Sequence, residues 1–232
     1  MQYFALLISR EPNLTPDERA EMMAAFENFH AKAGSAILAG DALLPAATGV
    51  RVAGGPDAPV ITDGPFAEGA EVACGYYVFE AENLDEALTL ARGVPVAHYG
   101  AVDVRPTVHP FQPARRPTGD DWLALLLEPP ESAHTPGTPE WNAVAARHAE
   151  FAAAAGDHMV GGAALHDRST ATTVRVRNGE VLVTDGPYAE GAEVANGFYL
   201  LSAADRDEAV KLAAMIPASA VELRQLAGMS GL

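Results

Sequence analysis

The residues best suited to chemistry lie in a twelve-residue stretch that occurs twice, at 62–73 and 184–195, with one Phe-to-Tyr change between the copies. Each copy begins Thr-Asp-Gly-Pro, with its aspartate at Asp63 or Asp185, and adds two glutamates with no basic residue among them. An aspartate followed by Gly-Pro favours a tight turn, in which the carboxylate bonds nearby backbone amides. We therefore expect both aspartates to be partly buried in their own turns, either as structural corners or as site carboxylates aimed by the turn.

A histidine on the first helix of the second repeat is the other candidate for proton transfer. His148 lies on the apolar stripe of that predicted helix, where the first repeat has Phe26. Near Asp185 in a hydrophobic cleft, a neutral imidazole can act as a general base around neutral pH. The structural alternative is a hydrogen-bonded core histidine. The first interpretation predicts that the active pocket belongs mainly to the second repeat, where Tyr188 replaces Phe66.

Arginines and tyrosines repeated at similar places are the candidates for binding a substrate. A guanidinium can hold an anionic group through two hydrogen bonds, and a phenol can donate one more, although ion pairs and packing are the structural alternatives. The candidates for substrate binding are Arg51, Arg175, Tyr199, Tyr77 and Tyr188. Two further arginines end the last strands and are favoured as ion-pair partners of the loop glutamates: Arg105 and Arg224, with Glu68, Glu71, Glu190 and Glu193.

Other reactive side chains predict neither a metal nor a cofactor. Cys74 is the only cysteine, so an intrachain disulfide is excluded and a reducing compartment fits. His158 and His166 have irregular spacing for a metal cluster with Asp185. The glycine-rich segments lack the spacing of a phosphate-binding loop.

The composition limits the partners. With 15 basic and 31 acidic residues, the net charge is −16, which disfavours nucleic acid and anionic membrane surfaces. Hydrophobic residues make up 49% of the chain, enough for a sizeable core. The N-terminal segment shows neither a secretion signal nor a membrane span, which predicts a cytoplasmic protein.

The elements that position these residues follow one order in both halves of the chain. Hydrophobic patterns, helix caps and turn residues predict β-α-β-β-β-α-β twice, in repeats 1–112 and 120–232 joined by a polar linker, 113–119. Strands that are apolar on both faces predict face-to-face packing of two sheets about a pseudo-twofold axis, with any pocket between them.

The motifs of the two repeats together resemble those of a known family, the YCII-related superfamily in its DGPF-motif branch. The segments that carry the resemblance are 3–8, 34–44, 50–52, 62–68, 75–77 and 102–106, with their counterparts in the second repeat. The resemblance implies an α+β fold, in which two ferredoxin-like βαββαβ repeats form an intrachain dimeric α+β barrel. It also implies a His–Asp acid–base pair with the histidine on the first helix. This chain departs from that pattern, with Met23 and Ala145 at the corresponding positions.

Two functions follow from these residues. The first is a cofactor-free enzyme that acts on a small organic molecule by acid–base chemistry, with Asp185, His148 and Asp63 as its catalytic candidates. The second is a non-catalytic small-molecule-binding or regulatory module; the resemblance implies an alternative sigma factor as its partner. A homodimer of tandem chains is compatible with either function.

Overall fold

The computed structural model describes residues 1–64, 71–129, 132, 134–188 and 194–229. The described chain forms two six-stranded antiparallel sheets and four α-helices. The first repeat contains β1 (Gln2–Ser9), α1 (Pro16–Ala33), β2 (Ile37–Ala42), β3 (Val50–Ala53), β4 (Val60–Asp63), β5 (Val72–Glu80), α2 (Leu84–Gly93) and β6 (Ala101–Pro106). The second contains β7 (Asp121–Glu128), α3 (Pro139–Ala155), β8 (Met159–Ala164), β9 (Thr172–Arg177), β10 (Glu180–Asp185), β11 (Val194–Ser202), α4 (Arg206–Ala214) and β12 (Ala220–Gln225).

Each repeat builds a four-stranded ferredoxin-like sheet, in the order β6-β1-β5-β2 or β12-β7-β11-β8. The helices begin where the sequence places caps. Thr15 accepts a hydrogen bond from the Glu18 amide in a full capping box, and Thr138 caps α3 in a similar way. The predicted α+β fold of two ferredoxin-like repeats is confirmed.

The remaining two strands of each repeat form a hairpin that joins the sheet of the other repeat. The β3–β4 hairpin pairs with β12, and the β9–β10 hairpin pairs with β6. The second hairpin turns at Asn178 and Gly179, whose φ angles of 54° and 82° fit the predicted two-residue Asn-Gly turn. In the first repeat, β4 is an additional strand that the predicted element order lacks. The exchange makes each sheet depend on both repeats.

The two faces of each sheet have different partners. One face packs against the helices of its own repeat: Phe29 of α1 lies over the first sheet and Phe151 of α3 over the second. The other faces meet, and Phe4 of β1 stacks on Phe198 of β11 with ring centroids 4.4 Å apart. Face-to-face packing of the repeats is therefore present. Within the described ranges, no helix is both long and apolar enough to cross a membrane.

Candidate functional site

A cavity of about 300 Å³ lies between the two sheets. Its walls are largely apolar, with Phe4 and Leu6 on one sheet and Leu125 and Leu127 on the other. Its polar lining comes from six side chains: Glu71, Asp103, Arg105, Tyr188, Glu222 and Arg224. A mostly apolar pocket with a few polar groups that point into it is typical of a small-molecule site.

Strand alternation on β6 places two of these charges in the cavity. Val102 and Val104 pack under the helices, so the intervening Asp103 and the following Arg105 face the other sheet. The same alternation on β12 places Glu222 and Arg224 in the cavity. The two strands are equivalent in the two repeats, so the cavity contains two similar acid–arginine pairs.

The two arginines cross from one sheet to the other. Arg105 Nη1 donates to the Ala195 carbonyl at 2.5 Å, and Arg224 Nη1 donates to the Ala73 carbonyl at 2.9 Å. These arginines are 4% and 1% exposed, and burial lowers the pKa of Arg105. The sequence favoured loop glutamates as their partners, but their hydrogen bonds in the described chain go chiefly to backbone carbonyls. Glu68, Glu190 and Glu193 lie outside the described residues.

The two acids differ in their surroundings. Asp103 Oδ2 accepts a hydrogen bond from the Tyr188 amide at 2.7 Å. Burial raises the pKa of Asp103 to about 6, although the Arg105 charge opposes the shift. Burial also raises the pKa of Glu222, which Arg224 at 3.5 Å and Arg51 partly offset. Asp103 therefore titrates near neutral pH, in the range useful for proton transfer.

Among the predicted binding residues, Tyr188 lies at this cavity. The Arg175 guanidinium carbon lies 4.9 Å from the centre of the Tyr188 ring, a cation–π contact at the same end. Arg51 is the cross-strand partner of Glu222.

Arg51 and Arg175 are not structural counterparts, contrary to the sequence comparison. Arg51 pairs with Thr62, and in the other hairpin the residue that pairs with Thr184 is Thr173. Arg175 lies two residues further along β9. Both arginines lie in a Val-Arg-Val segment, 50–52 or 174–176, but the pairing register of the strands decides which positions are equivalent.

The predicted histidine and two predicted tyrosines lie outside the cavity, on the helix side of the sheets. His148 Nδ1 is 3.0 Å from the Tyr199 hydroxyl, and His30 Nε2 is 2.7 Å from the Tyr77 hydroxyl. Burial, with the Arg147 charge, lowers the pKa of His148, and burial raises the pKa of Tyr199 to about 12. These shifts favour a neutral imidazole whose Nδ1 accepts a hydrogen bond from the Tyr199 hydroxyl.

The structure does not bring His148 and Asp185 together. Asp185 ends β10, the edge strand of the first sheet, whereas Tyr199, the partner of His148, lies on β11 of the second sheet. The exchange of hairpins causes this separation.

The predicted burial of the two turn aspartates is wrong. Asp63 is 74% exposed and forms an ion pair with Arg206, which is also largely exposed, and Asp185 is exposed too. The chain at Gly64 is instead anchored by the Gly64 amide, which donates to the Gly49 carbonyl at 3.0 Å. A side chain at Gly64 would collide with the Ala46 carbonyl, so the glycine is required by close backbone approach. The rest of the first loop, 65–70, and 189–193 of the second lie outside the described residues.

Sequence reasoning missed three residues of these arrangements, namely Asp103, Glu222 and His30. The first two carried a usable signal, because an acid alternates with apolar residues at the same place in both last strands. His30 lies one helical turn after Phe26, so the two repeats place the tyrosine-binding histidine at different helix positions. In the part of the chain that the structure describes, no group of three or more His, Cys, Asp or Glu side chains is placed to hold a metal ion.

Comparison with known proteins shows a family match for the chain. The family model described as the YCII-related domain matches the chain twice, at residues 1–112 and 123–226. No curated protein matches the chain. Among solved structures, the chain is similar to a crystal structure of a protein provisionally named chlorite dismutase TA0507, with a TM-score of 0.43 and 11% sequence identity. That match covers 97% of this chain and 93% of the other.

Proposed function

The chain belongs to the YCII-related domain family, and from that premise we propose that its inter-sheet cavity binds a small organic molecule and that Asp103 exchanges a proton with it. The observation that carries the proposal is a buried carboxyl group with a pKa of about 6 that lines a mostly apolar, partly open cavity of about 300 Å³. Such a volume is at the lower end of ligand pockets and fits a molecule of several to about a dozen heavy atoms.

The contacts of Asp103 leave it able to act on a ligand. Its Oδ2 is held by the Tyr188 amide, which fixes the orientation of the carboxyl group. Its Oδ1 makes no hydrogen bond to any described residue. The ionised group takes a proton from the bound molecule and becomes a carboxylic acid, and the acid can return the proton at another atom. Isomerisation and proton exchange next to a carbonyl group are reactions of this class.

Hydrogen–deuterium exchange tests this proposal directly. Small cyclic ketones, lactones and 2-oxo acids would be incubated with the protein in D2O, and loss of the proton signal next to each carbonyl would be followed by NMR. We expect exchange with at least one probe to be accelerated by the wild-type protein and not by Asp103→Asn. Filling the cavity with Leu125→Trp should also abolish it, whereas Asp57→Asn in an exposed turn should not. Equal acceleration by the wild-type and Asp103→Asn proteins would exclude Asp103 from the reaction.

The second candidate is a binding or regulatory module, for which the surface gives a specific observation. Val60 and Ile61 on β4, and Val181, Leu182 and Val183 on β10, are exposed apolar residues on edge strands. Asp63 and Asp185 end these same strands and point their charge toward solvent rather than into a site. A partner protein could pair with such an edge. The sigma-factor partner, the homodimer of tandem chains, the DGPF-motif branch and the cytoplasmic location stay predictions.

A further inference from the structure

The two acid–arginine pairs of the cavity look equivalent in sequence but differ in how their arginines are bonded. Both Arg105 and Arg224 reach an alanine carbonyl in the opposite sheet through Nη1. Arg224 also donates through Nη2 to the Leu44 carbonyl at 2.7 Å, and its Nη1 lies 3.5 Å from Glu222 Oε1. Both terminal nitrogens of Arg224 are therefore engaged in holding the sheets together.

Arg105 has no equivalent second bond. The counterpart of Leu44 is His166, since the Leu44 amide donates to the Gln225 carbonyl and the His166 amide donates to the Pro106 carbonyl. Arg105 makes no hydrogen bond to His166, and its Nη2 has no partner among the described residues. The Nε of Arg105 also has no described partner, but it is fully buried. The Nη2 atom is not fully buried. The Nη2 end of Arg105 is thus the donor that remains available to the cavity.

Asp103 presents an available oxygen beside this donor. It lies two residues before Arg105 on the same face of β6, and Tyr188 occupies only its Oδ2. Opposite this pair, the walls contributed by Leu125 and Leu127 are apolar. The part of the cavity beside β6 therefore offers one guanidinium nitrogen, one carboxyl oxygen and a hydrocarbon surface.

We infer that the ligand of this cavity is a small organic acid, whose carboxylate is bound by Arg105 while its hydrocarbon part packs between the two sheets. A guanidinium matches carboxylate and phosphate groups in shape and charge, and the single charge of a carboxylate is better suited to a cavity that already contains the acids Asp103 and Glu222. This inference rests on the proposed function, because it names the class of molecule that occupies the same cavity.

The charges around the cavity predict that such an acid binds together with a proton. The charged and titratable groups that line the site are Glu71 just before β5, Asp103 and Arg105 on β6, Tyr188 after β10, and Glu222 and Arg224 on β12. Two further charges act on these groups from outside the lining: Asp167 acts on Arg105, and Arg175 packs on the Tyr188 ring. Two carboxyl groups in one enclosed site raise each other's pKa, so the ligand carboxylate and Asp103 share a proton. Binding should then be accompanied by proton uptake and should weaken as the pH rises above neutral.

Three probes of similar size test the inference: benzoate, the neutral benzamide of the same planar shape, and the cationic benzylamine. Binding would be measured by isothermal titration calorimetry near pH 6.5 in two buffers with different ionisation enthalpies, which reports the protons exchanged. We expect benzoate to bind roughly ten- to a hundredfold more tightly than benzamide, as for a hydrogen bond to a charged group. We also expect proton uptake with benzoate alone.

Arg105→Lys keeps the charge and removes the planar edge, so it should abolish the preference for benzoate. The matched control is Arg177→Lys, because Arg177 is also held by backbone carbonyls but does not line the cavity. If Arg105→Lys does not fold, two measurements on the wild-type protein still test the inference: the ratio of its affinities for benzoate and benzamide, and the number of protons taken up when benzoate binds. Equal or tighter binding of benzamide or benzylamine overturns the inference and leaves the proposed function standing. Failure of all three probes to bind also overturns the inference, and the deuterium exchange of the ketone, lactone and 2-oxo acid probes then decides the proposed function separately.

Discussion

Replacing Asp103 by asparagine should change the pH dependence of stability. The free energy of unfolding of the variant, measured relative to that of the wild type, should be higher at high pH than at low pH. Asparagine keeps an oxygen that can accept the hydrogen bond from the Tyr188 amide, and it removes the negative charge that burial destabilises. The variant therefore mimics the protonated carboxyl group at every pH. The comparison isolates the free energy of ionising Asp103 inside the fold.

The magnitude follows from the shift in pKa. Burial raises the pKa of Asp103 from 3.8 to about 6, so the folded state holds a proton that the unfolded state releases between these values. Stability from this group is present at low pH and is lost as the pH rises through about 6. The full difference corresponds to about 3 kcal/mol, of which about 1 kcal/mol is lost between pH 5.5 and 8.

Urea unfolding at several pH values from about 5.5 to 8 would measure this difference, in a range where the acidic chain stays well charged. The free energy of unfolding of Asp103→Asn, minus that of the wild type, should rise by about 1 kcal/mol across the range. Asp57→Asn makes the same charge change in an exposed turn and should show a flat difference. A flat difference for Asp103→Asn would mean that the Arg105 charge cancels the effect of burial, and a difference that falls with pH would mean that it outweighs burial. The reasoning from desolvation would then be wrong.

Three further predictions concern packing and surface. Gly162→Ala should destabilise the fold by about 1 to 3 kcal/mol in thermal or urea unfolding, because its new methyl group would lie 2.3 Å from the Tyr199 ring and 2.6 Å from the Phe198 carbonyl oxygen; an unchanged midpoint would show that both the ring and the neighbouring backbone can shift. Asp63→Ala should cost less than about 1 kcal/mol, because its ion pair with Arg206 is exposed and screened, and a larger loss would reveal a buried role for the turn. The two repeats expressed separately should associate or aggregate, since each lacks the hairpin that completes its sheet; monomeric, cooperatively folded repeats on size-exclusion chromatography and urea unfolding would contradict this.

Local features of the fold were accessible from the sequence because they depend on neighbouring residues. The Thr15 capping box, the Asn178-Gly179 turn and the tandem order of elements each arise from interactions within a few positions. The duplicated motif revealed the repeat, and the apolar strands indicated that two sheets face each other. The YCII-related family followed from motifs spread over both repeats.

The candidate site was less accessible because its members are distant in the chain. Tyr188 meets Asp103 across 85 positions, and that contact depends on a hairpin that leaves its own repeat. The sequence placed His148 beside Asp185 because both belong to the second repeat. Strand exchange moves Asp185 to the first sheet, and alternation on β11 turns Tyr199, the partner of His148, toward the helices.

The sequence by itself determined the repeat, the class of fold and every helix and strand except β4, since periodicity, caps and turns are encoded locally. Only the tertiary structure decided which charges share an enclosed space. Asp103 and Arg105 read as two ordinary residues of a closing strand, yet packing the sheets face to face removes them from water. Burial, which depends on every element at once, is what raises the pKa of Asp103 and makes it a candidate for proton transfer.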